Sequence, residues 1–480
     1  MSGPRRRVLV LGLDSVPPEL LFGRFRDRMP RLQARLATAR FGTLRSTDPP
    51  ITVPAWAVMF TGVDPGTLGI YGFRHRRPGT YFSSYTPTPQ RIRVPTVWDL
   101  LSRVGRRVAV LGMPPGYPPP RVNGIYLSDF LTPEGARDAV WPPELLPEIE
   151  AAAQGRYRFD VTFRAEDRAR IGREIFEMTE ARWAVARALW RREDWDLFAL
   201  HDIGPDRLHH AFWKYFDPAH PRHRPDPEFS GIADRFYALL DKEIGDLLDE
   251  VGPEVTVLLA SDHGSRAMDG CFCINEWLAD RGYLAYLGDR RPPIGQLDDA
   301  PIDWSRTRAW GAGGYYARIF FNVRGREPNG IVPPGAVPAL EAELTRELAE
   351  VRREDGEPLR ARAFPPRAVY REVHGDAPNL MVYFGDLSCR SAGTVGHRRW
   401  FLPENDTGPD DSVHSFEGFY ALLGTPAGAS GPGPEESILD VAPTLLELLG
   451  EPIPPTVQGH VIGAWLPRAR PSGEAPRPPG

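Results

Sequence analysis

The sequence predicts an α/β fold in which a mainly parallel central sheet is covered by helices on both faces. Three observations lead to this prediction. Short apolar runs rich in Val, Leu and Ile recur along the chain, and longer segments with helical periodicity separate them. Such alternation is typical of parallel strands that are buried on both faces. In addition, several apolar runs end in polar residues, and a parallel sheet gathers the carboxyl ends of its strands at one edge.

Five apolar runs are predicted to be strands, of which the last is the shortest; they are residues 7–13, 107–113, 196–201, 254–260 and 420–423. The predicted helices between them are residues 97–104, 164–192 and 232–251. The Pro-rich stretch 114–120 is predicted to be an extended loop. Residues 303–370 form a predicted subregion, with a strand at 317–323 and a helix from 334 to about 353.

The length of 480 residues favours a large domain that carries insertions, or two lobes. We expect a single domain over residues 1–466, with insertions at about 114–165 and 265–400. Residues 467–480 are rich in Pro, Gly and Arg and are predicted to be a disordered tail.

Composition and charge exclude several classes of protein. The net charge of −5 and the pI of about 6.2 give no basis for binding a nucleic-acid duplex through bulk charge. The three cysteines are too few for a disulfide framework, and Cys271 and Cys273 are expected to pack in a core; such usage indicates a reducing compartment. The first apolar run is too short for a signal peptide, and no run reaches the roughly 20 residues of a membrane span. We therefore expect a cytoplasmic protein without a membrane span.

The segment from Ile51 to Gly62 has the features of a helix that begins beside a reactive hydroxyl. Pro54 lies two residues after Thr52, and Pro in the first turn is a common helix start. Thr52 is therefore predicted at or near the helix N-terminus, where free backbone N–H groups and the helix dipole favour an anion. A phosphate docked there would face the Thr52 hydroxyl, which needs activation, for instance by a metal, to act as a nucleophile. The alternative is that Thr52 only caps the helix.

Aspartate and histidine residues follow several of the predicted strands. Asp14 ends the first strand, and Asp206 and His210 lie four residues apart, which places them on one face of a helix. The adjacent pair Asp262 and His263 directly follows the fourth predicted strand. These residue types bind divalent cations, although each alone can also be a helix cap or a turn residue.

A late histidine completes the pattern. His414 lies between an acidic loop and the short apolar run at 420–423, where the alternative is a histidine in a surface loop. His397 is a competitor for the same role. A ligand role for either residue requires that the fold bring it to the edge at which the strands end.

In this order the motifs resemble those of the alkaline phosphatase superfamily, and they are most similar to its type I phosphodiesterase/nucleotide pyrophosphatase branch. The first motif is a strand that ends in Asp, here Asp14, and the second is T-x-P followed by T-G, here Thr52 and Pro54 with Thr61 and Gly62. D-x-x-x-H follows with Asp206 and His210, and then D-H-G from Asp262 to Gly264. A late His, here His414, completes the set. The segment from Ile438 to Gly450 resembles the terminal helix of the family. The resemblance spans roughly residues 7–465 and implies an alkaline-phosphatase-like three-layer sandwich.

The resemblance also implies a phosphoric ester hydrolase with two divalent metal ions, zinc being favoured by mixed histidine and carboxylate ligands and manganese being the alternative. Thr52 is then the nucleophile, and a phosphothreonine intermediate forms on it. The implied ligands of one ion are Asp206, His210 and His414, and those of the other are Asp14, Asp262, His263 and the Thr52 oxygen.

One position departs from the family pattern. Phosphodiesterase relatives often have Asn three residues after the nucleophile, where it holds a phosphate oxygen, and here that residue is Ala55. The basic cluster from Arg74 to Arg77 could supply the missing contact, or it is a solvated charge run. Aromatic residues could bind the second group of a diester. The candidate substrate contacts are Trp56, Arg74, Arg76, Trp310 and Tyr315.

The expected substrate is a small phosphorylated compound, such as a nucleotide or another phosphodiester. Two alternatives remain open at this point. A phosphomonoesterase or a phosphomutase-like enzyme could use the same residues, because related folds perform both reactions. A non-catalytic metal-binding protein would keep the ligands and lack turnover.

Overall fold

The computed structural model of the chain describes residues 6–424 and 430–466, so the predicted disordered tail at 467–480 lies outside the described residues. The strands in the described part, in chain order, are β1 (Arg7–Leu13), β2 (Arg40–Arg45), β3 (His75–Arg76), β4 (Ser84–Tyr85), β5 (Val108–Leu111), β6 (Gly124–Leu127), β7 (Val140–Trp141), β8 (Leu197–Asp202), β9 (Val255–Ala260), β10 (Gly264–Ala267), β11 (Cys271–Cys273), β12 (Ala309–Ala312), β13 (Ala317–Phe321), β14 (Arg362–Phe364), β15 (Leu380–Tyr383), β16 (Arg390–Ala392), β17 (Phe401–Leu402), β18 (Ser412–Ser415), β19 (Glu417–Leu423), β20 (Gly431–Pro432) and β21 (Glu436–Ser437). The α-helices are α1 (Pro30–Leu36), α2 (Thr52–Thr61), α3 (Pro65–Leu68), α4 (Val97–Arg103), α5 (Leu146–Ala152), α6 (Arg168–Trp190), α7 (Gly204–Phe216), α8 (Ile232–Leu248), α9 (Ile274–Asp280), α10 (Val337–Ala349) and α11 (Val441–Leu449).

A ten-stranded sheet forms the centre of the molecule. β1 lies in its middle and pairs in parallel with β8 on one side and β9 on the other. β5 and β6 continue the parallel part beyond β8. On the other side, β19 pairs antiparallel with β9, and β2 pairs antiparallel with β19. The mainly parallel sheet expected from the sequence is therefore confirmed, and the short apolar run at 420–423 belongs to the antiparallel strand β19.

The helices that cover the sheet pack in two groups. α8 contacts α1, α6 and α7, and α6 also contacts α7, whereas α11 contacts α2 and α4. The three helices predicted from periodicity are confirmed as α4, α6 and α8, each within a few residues of its predicted ends. No helix in the described part of the chain combines the length and the apolar character needed to cross a bilayer.

The register of the central strands decides where their polar ends lie. Gly12 of β1 is opposite both His201 of β8 and Ala260 of β9. The residues that follow these strands therefore emerge at one edge of the sheet, as expected for a parallel arrangement. Asp14 follows β1, and Asp262 follows β9 by two residues.

Helix α2 packs against this edge because its residues are apolar all round. All ten residues of the helix are buried, and it ends at Gly62, whose φ of 67° is the left-handed conformation that suits glycine. Gly12 makes room for the helix: a Cβ at that position would lie 2.4 Å from the ring of Trp56. The close approach brings the first turn of α2, with Thr52, to the end of β1.

The second predicted insertion contains a smaller sheet with its own hydrophobic core. Its strands are ordered β12, β13, β15 and β14, and all neighbours are antiparallel. α9 packs against β12, and α10 packs against β14. The predicted strand at 317–323 is β13, and the predicted helix from 334 consists of a 3-10 turn, Pro334–Ala336, followed by α10.

A two-stranded sheet joins the two ends of this insertion. β10 begins at Gly264, directly after His263, and pairs antiparallel with β18. In this pairing His414 of β18 is opposite Ser265 of β10. The chain thus leaves this edge of the central sheet after His263 and returns to the same place about 150 residues later, since backbone pairing sets strands about 5 Å apart.

Candidate active site

The predicted nucleophile lies at the first position of α2. Thr52 is 1% exposed, and the N-cap position is taken by Ile51, whose side chain makes no capping bond. The Thr52 hydroxyl instead lies 3.1 Å from His263 Nε2 and 3.5 Å from Asp14 Oδ1. Its contacts are therefore with the candidate metal ligands, so the interpretation of Thr52 as a helix cap alone does not describe its environment.

Asp14, Asp262 and His263 form a buried group that we call the Asp14 cluster. One ligand atom from each residue lies within 4.8 Å of the others. His263 Nε2 is 3.5 Å from Asp14 Oδ1 and 3.3 Å from Asp262 Oδ2. The His263 Nδ1–H donates to the Gly264 carbonyl at 3.0 Å, which leaves the Nε2 lone pair facing the two carboxylates.

Asp206, His210 and His414 form a second buried group, the Asp206 cluster. Their ligand atoms also lie within 4.8 Å of one another. Asp206 Oδ1 is 3.2 Å from His210 Nε2 and 3.6 Å from His414 Nε2. Asp206 and His210 lie one turn apart on α7, as the four-residue spacing predicted, whereas His414 arrives from β18.

The two clusters are adjacent. The rings of His263 and His414 are stacked with centroids 3.9 Å apart and planes inclined by 18°. This contact follows from the β10–β18 pairing, which brings residues on either side of the insertion together. The six predicted ligands and Thr52 therefore lie around one buried space.

Both clusters have the charge and the free lone pairs that a cation needs. Asp206 Oδ1 and Asp262 Oδ2 are buried and have no hydrogen-bond partner among the described residues. A buried carboxylate oxygen without a partner is costly, and a bound cation removes that cost. Burial, together with the nearby Asp14, raises the pKa of Asp262 well above its usual range. The residues present thus fit a divalent cation in each cluster.

His210 shows how strongly the second cluster attracts positive charge. Burial lowers its pKa, but the nearby Asp410, Tyr315 and Asp206 outweigh burial and raise the pKa to about 10. The pKa of His414, in contrast, is lowered well below its usual range by burial and by the neighbouring His263. The same negative field that holds a proton on His210 favours a divalent cation in its place.

Two residues that support the clusters were not predicted from the sequence. Asp410 accepts the Nδ1–H of His210 at 2.6 Å, so it fixes the tautomer that turns Nε2 towards the cluster. His201 lies 2.7 Å from Asp14 Oδ2 and orients that carboxylate. His201 ends a predicted strand and Asp410 belongs to the acidic loop before His414, so both carried a weak signal.

A cavity of about 650 Å³ opens beside the clusters. Ile51, next to Thr52, lines the cavity, as do the aromatic rings of Phe73, Phe130 and Phe163. Five arginines also line it, namely Arg74, Arg164, Arg207, Arg318 and Arg390. Arg164, Arg207 and Arg390 are paired with aspartates, whereas Arg74 and Arg318 form no ion pair among the described residues. A space of this size with apolar walls and cationic groups suits an anionic small molecule.

Three of the predicted substrate contacts lie elsewhere, and these predictions need correction. Trp56 is 0% exposed and lies beneath the site, where its indole N–H donates to Asp14 Oδ2 at 2.9 Å. Arg76 is buried and forms ion pairs with Asp376 and Glu327, so its charge is already neutralised. Trp310 is 2% exposed in the second core and stacks with Phe320. The basic run was thus in part a structural ion-pair network.

The other two predicted contacts do line the cavity. Arg74 is exposed on its wall. Tyr315 lies at its inner end, where its ring stacks on His414 with centroids 3.7 Å apart. The competing histidine, His397, lies away from both clusters and contacts Thr394 Oγ1 at 2.7 Å. The structure therefore brings His414 rather than His397 to the site.

The fold and the site define a class of protein, the hydrolases that act on phosphate esters. A model of the type I phosphodiesterase/nucleotide pyrophosphatase family matches residues 8–410. The chain belongs to this family, and it is a phosphodiesterase by class.

Comparison of structures gives the same assignment of the fold. The chain is similar to human ectonucleotide pyrophosphatase/phosphodiesterase 5, with a TM-score of 0.53 over 94% of this chain and 96% of that chain. Their sequences are 11% identical, so this likeness shows a shared architecture. No curated protein matches the sequence.

Proposed function

We propose that this phosphodiesterase uses two divalent metal ions and a covalent intermediate on Thr52. One observation carries the proposal: the Thr52 hydroxyl contacts the Asp14 cluster, which adjoins the Asp206 cluster, and each cluster offers three ligand atoms within 4.8 Å of one another. A hydroxyl at the start of a helix, next to such clusters, is suited to attack the phosphorus atom of an anionic phosphate ester.

The Asp14 cluster and the Asp206 cluster would each hold one ion. Mixed histidine and carboxylate ligands favour zinc, and manganese is the alternative. When bound, the two ions would lower the pKa of the attacking hydroxyl and neutralise charge on the phosphoryl group.

The residues of the chain would act in two displacements. In the first, Thr52 Oγ forms a bond to phosphorus as the ester bond to the leaving alcohol breaks, and the hydroxyl proton ends on that alcohol or in solvent. In the second, water attacks the phosphothreonine, Thr52 leaves as the hydroxyl, and a phosphomonoester is released. The first turn of α2 would orient the phosphate through the backbone N–H groups of Thr52 and Val53 and through the helix dipole.

The cavity supports a small phosphorylated substrate, such as a nucleotide or another phosphodiester. Its aromatic wall can accept the second group of a diester, and its arginines favour additional negative charge. A phosphomonoesterase is the second candidate function, because arginines favour negative charge and a phosphomonoester carries one more negative charge than a diester. We further propose a cytoplasmic location, which the three free, buried cysteines support.

The test compares Thr52→Ala with Thr61→Ala, a matched change on the same helix. The Thr61 hydroxyl donates to the Ala57 carbonyl and lies at the far end of α2. With zinc or manganese added, we expect wild type and Thr61→Ala to hydrolyse a chromogenic phosphodiester. Thr52→Ala should lose roughly 10³-fold or more in kcat/KM, since an activated nucleophile is lost. The corresponding monoester, assayed in parallel, shows which ester is preferred.

The intermediate itself can be observed by mass spectrometry. After an acid quench during turnover, the peptide that contains Thr52 should carry the mass of the transferred phosphoryl group and its remaining ester. Hydrolysis that survives in Thr52→Ala, or turnover without this adduct under burst conditions, would contradict the covalent route.

A further inference from the structure

The first turn of α2 offers few hydrogen-bond donors to a phosphate. Ala55 has only a methyl group, and its backbone N–H already donates to the Ile51 carbonyl at 2.9 Å. Pro54 has no N–H at all. A phosphate attacked by Thr52 therefore needs a further hydrogen-bond donor to one of its oxygens, from another part of the chain.

Tyr315 places a hydroxyl beside the Asp206 cluster. It lies in the loop between β12 and β13 of the second sheet, and it is 9% exposed. Its hydroxyl is 3.2 Å from His210 Nε2, the atom that faces the cluster. Its ring is fixed between His414, stacked at 3.7 Å, and the Arg390 guanidinium, 4.2 Å from the ring centroid. These two groups must lie on opposite faces of the ring, since on one face they would overlap.

The hydrogen bonds around Tyr315 determine where its own hydrogen points. Arg164 Nη2 donates to the Tyr315 oxygen at 3.2 Å, and Arg164 Nε donates to Asp410 at 2.8 Å. The hydroxyl oxygen is therefore an acceptor from Arg164, and the other contact of the hydroxyl is with His210 Nε2 at 3.2 Å. His210 Nδ1–H is held by Asp410 at 2.6 Å, so it is Nε2 that faces the Asp206 cluster and Tyr315.

Nε2 is also the atom with which His210 would bind a metal ion. Bound to an ion, Nε2 could neither donate to nor accept from Tyr315, while Arg164 would still hold the phenol oxygen in place. The Tyr315 O–H would then be a donor at the edge of the cluster, in the cavity, with no acceptor for its hydrogen among the described residues. A phosphate oxygen is the acceptor that the reaction brings to this position.

We propose that Tyr315 donates a hydrogen bond to a non-bridging oxygen of the phosphate, in the role that Ala55 cannot perform. This inference rests on the proposed function, because it assumes that the phosphate lies at the two clusters. Arg164 positions the phenol, and Arg390 and His414 fix the plane of its ring. Tyr315 is thus a catalytic residue supplied by the second sheet, whereas the ligands come from the central sheet, α7 and β18.

The test is Tyr315→Phe beside Tyr316→Phe, which removes the same atom from the next residue. The Tyr316 hydroxyl donates to the Tyr71 carbonyl at 2.8 Å and makes no contact with either cluster. We expect Tyr315→Phe to lower kcat on a chromogenic diester by roughly 10²-fold, as loss of one oxyanion donor does, with KM changed only a few-fold. Tyr316→Phe should differ from wild type by less than about threefold in both constants, since its hydrogen bond is remote from the reacting atoms.

Two binding measurements separate this inference from the proposed function, because neither needs turnover. In zinc-loaded protein, calorimetric titration with orthovanadate should show an affinity about tenfold or more weaker for Tyr315→Phe than for Tyr316→Phe. Zinc affinity itself should be equal in the two variants within about threefold, since the phenol is not a ligand. Equal vanadate affinity in the two variants would overturn the inference. A selective loss of zinc affinity in Tyr315→Phe would also overturn it, because Tyr315 would then be a metal ligand.

Discussion

Replacing Asp410 by Asn removes the carboxylate on which one side of the Asp206 cluster depends. Asp410 Oδ1 accepts from His210 Nδ1 at 2.6 Å, and Oδ2 accepts from Arg164 Nε at 2.8 Å and from Arg390 Nη1 at 3.0 Å. An amide has one acceptor oxygen and one donor group. Asn can therefore satisfy either the histidine or the two arginines, and its NH₂ group then faces the other side.

The substitution is expected to lower both the metal affinity of the Asp206 cluster and the stability of the fold. If the amide turns its NH₂ to His210, the ring loses the tautomer that presents Nε2, and such loss of a supporting carboxylate costs about 10- to 100-fold in metal affinity. Removing one partner of a buried ion pair costs about 3–5 kcal/mol in stability. Arg390 is 5% exposed, but Arg164 is 27% exposed and can be hydrated, so we expect about 3 kcal/mol.

Asp411→Asn is the matched control. Asp411 is also buried and forms an ion pair with Lys214 at 3.0 Å, but its side chain does not touch His210. Zinc affinity is measured by competition with a chromogenic chelator, and stability by urea unfolding of the metal-free proteins. We expect both variants to lose stability and only Asp410→Asn to lose zinc affinity. Zinc binding that is unchanged in Asp410→Asn, or weakened equally in both variants, would refute the role assigned to Asp410.

Two further predictions concern Trp56 and His75. Trp56→Phe removes the indole donor to Asp14 Oδ2, so zinc affinity should fall. The expected loss is only about 3- to 10-fold, because His201 still contacts that oxygen. Competition with a chelator measures the affinity, and an unchanged value would argue against a supporting role for Trp56. Burial, and then the charge of Arg318, lowers the pKa of His75 to about 3, and its Nε2 accepts the Tyr71 N–H at 2.8 Å. The unfolded chain therefore binds a proton at His75 below about pH 6.5 that the folded chain does not, and stability should be lost as the pH falls from about 6.5 towards 3. Between pH 7 and pH 5 this effect lowers the free energy of unfolding by about 2 kcal/mol. In urea unfolding, His75→Gln should therefore lose about that much less stability than wild type over the same pH range. An equal loss in the two proteins would show that His75 is not the responsible group.

Much of the fold and the positions of the six candidate ligands could be predicted because local patterns determine them. A buried parallel strand reads as a continuous apolar run, and the residue after it must lie at the sheet edge; this gave Asp14 and Asp262. The spacing of Asp206 and His210 fixes their common helix face in the same way. The approach of His414 does not follow from a local pattern, since it depends on the β10–β18 pairing across a long insertion.

The contacts that were predicted wrongly depend on packing between distant segments. Trp56 was expected to face the substrate, but its ring packs against Gly12 and its indole N–H donates to Asp14. The sequence around these residues does not reveal this contact, because β1 and α2 meet only in the folded chain. Arg76 was expected to bind the substrate, but its partner Asp376 lies 300 positions further along the chain. Asp410 was missed for the same reason, because its partners are distant in sequence.

The pairing of β10 with β18 means that the second sheet and its core form a closed excursion of the chain. Both ends of the excursion are fixed beside candidate ligands, so its length and internal architecture can change without altering the distance between the two clusters. The excursion also carries Tyr315, Arg390 and Asp410, which contact one another or His210, so these contacts must persist while the rest of the segment changes. A chimera with a foreign segment between β10 and β18 would keep both clusters, and it would need equivalents of these three residues to keep their support.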